Sequence, residues 1–207
     1  MENNLKKTVV LDYYGIPGSG KSTTSHALAE KYREEGKSVI EPSYDYDHHG
    51  SCITRKLKKI SATIQFGMKS PGRFLSVYRL VKLNGYTRTS GLLNQIVNIV
   101  TKVSAVEKYN GKVDYIIFDE GLTQAAISLS INSEYPSTGN FKSILDLIPD
   151  IPEIKLVQVT LDVHEALKRI ELRNSKDTRV EKLEGYNSRI LLLQKYERLT
   201  TELQGRV

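Results

Sequence analysis

The sequence predicts an α/β fold in which a mostly parallel sheet of about four to five strands lies between layers of helices. Two observations lead to this prediction. Short apolar segments of strand character alternate with longer segments of helical pattern. Enough chain separates each strand from the next for a crossover, which implies parallel order and helices on both faces of the sheet. A chain of 207 residues fits one domain, and we expect residues 1–207 to form one.

Four segments have the character of strands. The first is "KKTVVLDYYG", which is followed by a loop and by the helical segment "TTSHALAEKYREEGKS" with Gly36 at its end. "KSVIEP" is a second, short strand that Pro42 stops, and "IKLVQVTL" is the fourth. The third, "VDYIIFDEG", has a continuous apolar run that is typical of a strand covered on both faces.

Helical patterns fill the rest of the chain. The interval from residue 43 to residue 112 is too long for one crossover helix, so we expect an embedded region of several helices. Its clearest helix has apolar residues at spacings of three and four: Leu92, Leu93, Ile96, Val97, Val100 and Val103. After the fourth strand, Asp162 and Glu165 have capping-box spacing. The segment "EKLEGYNSRILLLQKYERLTTELQ" is helical, with Gly185 as a point of interruption.

The composition is that of a soluble globular protein, with 39% hydrophobic and 26% charged residues. The sequence contains no stretch apolar enough for a membrane span, and "MENNLKK" is not a signal peptide. Cys52 is the only cysteine, which excludes an intrachain disulfide. These features predict a cytoplasmic protein.

Positive charge is concentrated in one segment of the chain. Residues 51–106 contain ten Lys and Arg residues and no Asp or Glu, whereas the net charge of the whole chain is +6. Such segregation costs electrostatic self-repulsion, which suggests an anionic partner for this segment. The candidates are a phosphorylated metabolite, a nucleic acid and an anionic membrane surface. A solvated basic face is the alternative.

A phosphate-binding motif follows the first strand. Gly15, Gly20, Lys21 and Ser22 satisfy the pattern G-x-x-x-x-G-K-[ST], in the strand–loop–helix context that the motif requires. Backbone N–H groups of such a loop surround the β-phosphate, the lysine reaches the β and γ oxygens, and the serine ligates magnesium. The motif therefore predicts ATP and Mg²⁺ as cofactors. The expected nucleotide-binding residues are Gly15, Pro17, Gly18, Ser19, Gly20, Lys21, Ser22 and Thr23.

Two carboxylates follow the third strand. Asp119 is delivered to the carboxyl edge of the sheet, where ligands bind in open α/β folds. It would hold magnesium through water or orient Ser22, and a helix N-cap is the alternative. Glu120 would accept a proton from an attacking hydroxyl or water, and an ordinary surface carboxylate is the alternative.

Two further groups of polar residues are candidates. Arg173 and Arg179, with Arg169 one turn earlier, would stabilise charge on a transferring phosphoryl group; a solvated helix face is the alternative, above all for Arg169. The other group follows the second strand and forms either a metal site or a polar loop: Asp45, Asp47, His48 and His49.

Taken in order, these motifs resemble a known family. "GIPGSGKST", "EP" after the second strand, the Asp-terminated third strand, "VTLDVHEALKRIELR" and "DTRVE" are similar to the P-loop nucleotide and nucleoside kinases, particularly the thymidylate-kinase-like group. The resemblance implies a three-layer P-loop NTPase fold with a helical acceptor-binding insertion and a lid at residues 173–183. It also implies that Glu41 and Pro42 shape the acceptor pocket and that lid arginines Arg173 and Arg179 act on the transferred phosphate.

Acceptor specificity is less well defined by the resemblance. It implies that Arg55 and Arg73 bind an acceptor phosphate, with Arg79 as an alternative. Thymidylate kinases, however, usually have Arg in place of Glu120 and often an acidic residue in place of Tyr14, and the family commonly ends in a further strand. Both substitutions argue against thymidylate itself.

The sequence thus predicts an ATP- and Mg²⁺-dependent phosphotransferase with catalytic residues Lys21, Glu120, Arg173 and Arg179. Its acceptor would be a nucleotide or nucleoside, followed by a phosphorylated sugar or another small anionic metabolite. The rival function is an ATPase or nucleotide switch in which Glu120 polarises water and the basic segment docks to nucleic acid or membrane. A second copy of the chain is a further candidate partner.

Overall fold

The computed structural model of the protein describes residues 7–44, 52–131, 139–173 and 179–204. One candidate group from the sequence lies outside these residues: Asp45, Asp47, His48 and His49. Part of the predicted lid, residues 174–178, also lies outside them.

Strands and helices alternate along the chain, as the sequence predicts. The described elements are β1 (Val9–Tyr14), α1 (Lys21–Glu34), β2 (Val39–Ile40), α2 (Cys52–Lys69), α3 (Pro71–Leu83), α4 (Thr89–Tyr109), β3 (Tyr115–Phe118), α5 (Leu122–Ser130), α6 (Gly139–Leu145), β4 (Glu153–Gln158), α7 (Val163–Leu172) and α8 (Tyr186–Gln204). The interval between β2 and β3 holds three described helices, which confirms the expected helical region.

The four strands form one parallel sheet in the order β2–β3–β1–β4. In its register, Val10 lies opposite Ile116 of β3 and Ile154 of β4. Because all strands are parallel, the carboxyl ends of β1 and β3 lie at the same edge. The loop after β1 and the carboxylates after β3 therefore meet there.

The two faces of the sheet are covered unequally. Leu11, Tyr13 and Ile117 pack in a small cluster with Ala29 of α1. Alternate residues of the same strands, including Val10, belong to a much larger core that the helices of the opposite face complete. This alternation is the period of two that strands impose. Helices on both faces confirm the predicted three-layer arrangement.

Helix α4 is the predicted amphipathic helix of the basic region. Ile99, Val100 and Val103 are fully buried, whereas Leu93 near the start of the helix is half exposed. The helix therefore packs one long face against the core and leaves its other face toward α2 and the site.

Helix α7 begins where the sequence predicts, whereas α8 begins at Tyr186 and leaves residues 181–184 of the predicted helical segment outside it. Asp162 caps α7 by accepting hydrogen bonds from the backbone N–H groups of His164 (2.9 Å) and Glu165 (3.1 Å). The Glu165 carboxylate itself pairs with Arg169 one turn further on. Gly185 has a φ of +84° and immediately precedes α8, so the predicted interruption is the start of the last helix. Among the described helices, none combines the length and apolar character that a bilayer crossing requires.

Candidate active site

The glycine-rich loop fits tightly against the segment after β4 and against α7. Gly15 has a φ of +153°, and a Cβ atom there would lie 2.3 Å from the Val159 carbonyl oxygen. At Gly18, with φ +85°, a Cβ would lie 2.7 Å from the Ala166 carbonyl oxygen. Both positions therefore require glycine for conformation and for space. The loop keeps the narrow cradle in which backbone N–H groups bind phosphate.

Lys21 lies beneath this loop at the start of α1. Its side chain is 5% exposed, and its Nζ donates hydrogen bonds to the carbonyl oxygens of Gly15 (3.2 Å) and Ile16 (3.0 Å). Burial lowers the pKa of Lys21, and the nearby charge of Arg173 lowers it further. The carboxylates of Glu120 and Asp119 act in the opposite direction on this pKa. The ammonium is thus held where the phosphates of a nucleotide would meet it.

A side-chain hydrogen bond links the glycine loop to β3. Ser22 Oγ donates to Asp119 Oδ2 over 2.7 Å. The other oxygen, Asp119 Oδ1, is buried without a hydrogen-bond partner among the described residues. Helix α5 begins at Leu122 with Gly121 as its N-cap, so Asp119 does not cap it. A hydroxyl beside a carboxylate with an unused oxygen is an oxygen-rich donor set that fits Mg²⁺.

The structure adds a buried carboxylate, Asp12, that the sequence did not single out. Its Oδ2 accepts hydrogen bonds from the backbone N–H and the hydroxyl of Thr123, both over 2.8 Å. Its Oδ1 is buried without a partner among the described residues. Burial raises the pKa of Asp12 to about 6, and the two Thr123 hydrogen bonds oppose that rise. An acidic residue in the otherwise apolar run "VVLDYY" was the available signal.

The segment after β3 is packed against β1 through this carboxylate. A Cβ at Gly121 would lie 2.1 Å from Asp12 Oδ1, so only glycine fits there. Three residues further on, Gln124 Oε1 accepts a hydrogen bond from the Gly15 N–H over 3.3 Å. The segment that carries Asp119 and Glu120 is therefore fixed relative to the glycine loop.

A cavity of about 450 Å³ opens beside these groups. Its lining residues come from the P-loop helix, the segment after β2, α2, α4 and the end of β3: Ser22, Pro42, Ser43, Lys59, Asn94, Val97, Asn98, Thr101, Lys102, Phe118, Asp119 and Glu120. Four predicted site residues, Ser22, Pro42, Asp119 and Glu120, thus share one cavity. We refer to it below as the acceptor cavity.

Lys102 is the most enclosed cation of the acceptor cavity. It is partly buried, and its Nζ donates a hydrogen bond to Asn98 Oδ1 on the preceding turn of α4. Burial lowers the pKa of Lys102, whereas the carboxylate of Glu120 raises it. The sequence counted Lys102 only as part of the basic segment. Its position on the helix face toward β3 required the packing of α4 to be known.

Glu41, the first residue of the "EP" pair, is held against α1. Its buried carboxylate contacts His26 Nδ1 (3.1 Å) and Arg33 Nη1 (2.8 Å). Glu30 joins His26 and Glu41 in a group whose ligand atoms lie within 4.8 Å, but Arg33 already pairs with both carboxylates. Pro42, in contrast, lines the acceptor cavity. The acceptor-pocket role predicted for Glu41 therefore has no direct contact to support it.

The basic residues predicted to bind an acceptor phosphate lie elsewhere. Arg73 pairs with Glu107, donates to the Leu147 carbonyl oxygen and lies 4.8 Å from the centre of the Phe66 ring. Arg79 is exposed on α3, and Arg55 is partly buried on α2. None of the three lines the acceptor cavity formed by the described residues. Glu107 lies just beyond the segment without acidic residues, so the sequence could not reveal this pairing.

The arginines of the predicted lid have different surroundings. Arg173 ends α7 and lies close enough to Lys21 for its charge to lower the pKa of that lysine. Arg179 donates hydrogen bonds to the Ser128 carbonyl oxygen (3.3 Å) and the Tyr86 hydroxyl (3.2 Å), which ties it to α5. Arg169 Nη1 lies 4.0 Å from where a Cβ of Gly20 would be. The structure thus adds Arg169 to the surroundings of the glycine loop.

Comparison with known proteins supports the fold. The sequence matches no protein-family model and no curated protein sequence. A chain of the Pnkp1/Rnl/Hen1 RNA repair complex matches with a TM-score of 0.50 and 14% identity, over 100% of this chain and 48% of that chain. The protein therefore spans about half the length of that chain.

Two structures of deoxyadenosine kinase from M. mycoides match less well. The one with bound dATP has a TM-score of 0.48 and 16% identity, over 93% of this chain and 84% of that chain. The one with dCMP and dCDP bound has a TM-score of 0.44 and 16% identity, over 93% and 83%. The match to the RNA repair complex chain supports the predicted fold class at the level of architecture, so the activity has to be argued from the site.

Proposed function

We propose that the protein is an ATP- and Mg²⁺-dependent phosphotransferase that acts on a small anionic acceptor. The observation that carries this proposal is the hydrogen bond between Ser22 and Asp119 at the edge of a cavity that also contains Glu120. It supports the proposal because the glycine-rich loop, the Ser22–Asp119 pair and the Glu120 carboxylate lie close together. A cavity large enough for a second substrate distinguishes this site from a simple nucleotide pocket.

The donor side would be held by the glycine loop. Backbone N–H groups of residues 18–23 would bind the ATP phosphates. The expected contact residues are Gly15, Pro17, Gly18, Ser19, Gly20, Lys21, Ser22 and Thr23, of which Pro17 has no N–H group to donate. Ser22 and Asp119 would hold Mg²⁺, whose charge stabilises the polyphosphate and its leaving group. Arg173, and Arg179 if it leaves Ser128, would add positive charge at the transferred phosphoryl group.

Glu120 would act on the acceptor. It is exposed at the cavity, next to Asp119. In the transfer, an acceptor hydroxyl oxygen forms a bond to the γ-phosphorus while the bond from that phosphorus to the bridging oxygen breaks. The hydroxyl proton passes to the Glu120 carboxylate, and ADP leaves with the electron pair. The resemblance to the thymidylate-kinase-like group implies a nucleotide or nucleoside as acceptor, and a phosphorylated sugar is the alternative.

Product analysis with ATP labelled in the γ-phosphate tests this proposal. We expect the label to be found in an added acceptor, and Glu120→Gln to slow that transfer about a hundredfold while nucleotide affinity stays unchanged. Glu34→Gln, at the exposed end of α1, is the matched control and should match the parent protein. Label that appears only in inorganic phosphate, with every acceptor class tested, would instead identify an ATPase.

A further inference from the structure

The walls of the acceptor cavity are mainly polar. Nine of its lining residues are polar or charged, and only Pro42, Val97 and Phe118 are apolar. One face of α4 contributes two amides, one hydroxyl and one ammonium group through Asn94, Asn98, Thr101 and Lys102. Asn94, Asn98 and Lys102 are each four residues apart, and Thr101 is three residues after Asn98, which places these side chains along one side of the helix.

This set of groups matches hydroxyls and phosphate. Amide and hydroxyl side chains donate and accept hydrogen bonds, as the hydroxyl groups of a sugar or polyol do. Lys102, together with Lys59 of α2, brings two positive charges to the same cavity. Lysine binds phosphate as a point charge, without the bidentate geometry that arginine requires. The cavity can therefore bind a phosphate and several hydroxyls at once.

The described lining of the two cavities offers little aromatic surface on which a nucleobase could stack. Phe118 is 1% exposed, so its ring is not available to a ligand. A larger cleft of about 1110 Å³ shares Pro42 and Thr101 with the acceptor cavity and contains two aromatic residues. Of these, Phe66 carries the Arg73 guanidinium on its ring, and Tyr109 carries the Lys108 ammonium at 4.9 Å. Stacking on aromatic rings is a principal way in which proteins hold bases.

We infer that the acceptor is a phosphorylated, polyhydroxylated small molecule, such as a sugar phosphate or polyol phosphate, bound in the acceptor cavity. This inference rests on the proposed phosphotransferase function and names its substrate class. The acceptor phosphate would lie against Lys102 and Lys59, and its hydroxyls would bind Asn94, Asn98 and Thr101. One hydroxyl would then face Glu120 and receive the phosphoryl group.

An acceptor panel tests the inference directly. The full chain is incubated with Mg²⁺ and γ-labelled ATP together with a hexose monophosphate, a pentose monophosphate, a pentitol monophosphate, thymidine or thymidine monophosphate. We expect kcat/KM for at least one sugar or polyol phosphate to exceed that for both thymidine compounds by about tenfold or more. A preference for either thymidine compound would overturn the inference and leave the phosphotransferase function intact. Release of inorganic phosphate alone, from every mixture, would overturn both.

Variants locate the acceptor phosphate. Lys102→Gln removes one charge, and we expect it to raise KM for the phosphorylated acceptor about thirtyfold while KM for ATP changes little. For the unphosphorylated form of the same acceptor, the same substitution should raise KM much less. Lys82→Gln is the control, because Lys82 is exposed on α3 within the same basic segment and does not line the cavity.

A second variant protects the test against misfolding. Lys59→Gln should show the same selective loss, since both lysines line the cavity from different helices. It can therefore replace Lys102→Gln in the test if that variant proves unstable. Equal losses for the phosphorylated and unphosphorylated acceptors, or no loss in either lysine variant, would overturn the assignment of the phosphate to these lysines.

Discussion

The donor side and the acceptor side of the site are built in opposite ways. The donor side is one continuous loop, residues 15–23, whose shape depends on its own glycines and on backbone packing against Val159 and Ala166. The acceptor side collects Pro42, Lys59 and the α4 residues from segments that are far apart in the chain. A contiguous motif can be identified residue by residue, whereas a dispersed pocket depends on which helix faces turn inward.

This difference explains why the positive charge of residues 51–106 does not identify the residues that line the acceptor cavity. Arg73 and Lys102 belong to the same basic segment and are equally prominent in the sequence. In the structure, Arg73 of α3 pairs with Glu107 of α4, whereas Lys102 lines the cavity that also contains Glu120. Charge content therefore predicted an anionic partner but not the residues that would bind it.

The largest effect is expected on the donor side, at Lys21. Lys21→Ala should reduce kcat by about a thousandfold, since it removes a positioned charge from the transferring phosphate. The fold should remain, because the hydrogen bonds of the ammonium to the rest of the described structure go to two carbonyl oxygens of the loop. Steady-state kinetics and circular dichroism test the two statements. A variant with unchanged turnover would contradict the assignment of this loop as the donor site.

Asp12 holds the start of α5 against β1 through its hydrogen bonds with Thr123. We expect the burial of this carboxylate to make the free energy of unfolding depend on pH. Its pKa rises from 3.8 to about 6 on folding, so the folded protein keeps this proton at pH values where the unfolded chain has lost it. The contribution of Asp12 to the free energy of unfolding should therefore fall by about 3 kcal/mol as the pH rises from 3.8 to about 6.

Asp12→Asn should remove this fall, because the amide does not titrate. Denaturant unfolding at several pH values measures the difference between variant and parent. Asp146→Asn, at an exposed position after α6, is the matched control. Its free energy of unfolding should fall with pH as steeply as that of the parent protein. If the free energy of unfolding of Asp12→Asn shows the same pH dependence as the parent protein, the Asp12 carboxylate does not titrate in the folded protein as its burial predicts.

The smallest effect on catalysis is expected at Arg73. Arg73→Ala should lower the free energy of unfolding by about 1 to 3 kcal/mol, because Glu107 loses its partner in a partly buried place. Acceptor KM should stay within about twofold of the parent value, in contrast with Lys102→Gln. Thermal unfolding and acceptor kinetics on both variants test this contrast. A large rise in KM with unchanged stability would restore Arg73 to the acceptor site.

The succession of strands and helices along the chain, the parallel sheet and the glycine-rich loop could be predicted from the sequence. These features depend on local patterns: the apolar runs, the spacing of apolar residues in α4, the Asp162 cap and the glycine motif. The sequence also placed Asp119 and Glu120 at the site, because a parallel sheet brings all carboxyl ends of its strands to one edge.

The side chains that complete the site could be identified only from the folded structure. Asp12 became buried because its alternate position in β1 faces the larger core and Thr123. Glu41 pairs with His26 and Arg33. Arg73 pairs with Glu107, because folding brings these distant residues together. Lys102 reached the cavity through the packing of α4 against the sheet. Each outcome depends on long-range contacts, which local sequence patterns do not contain.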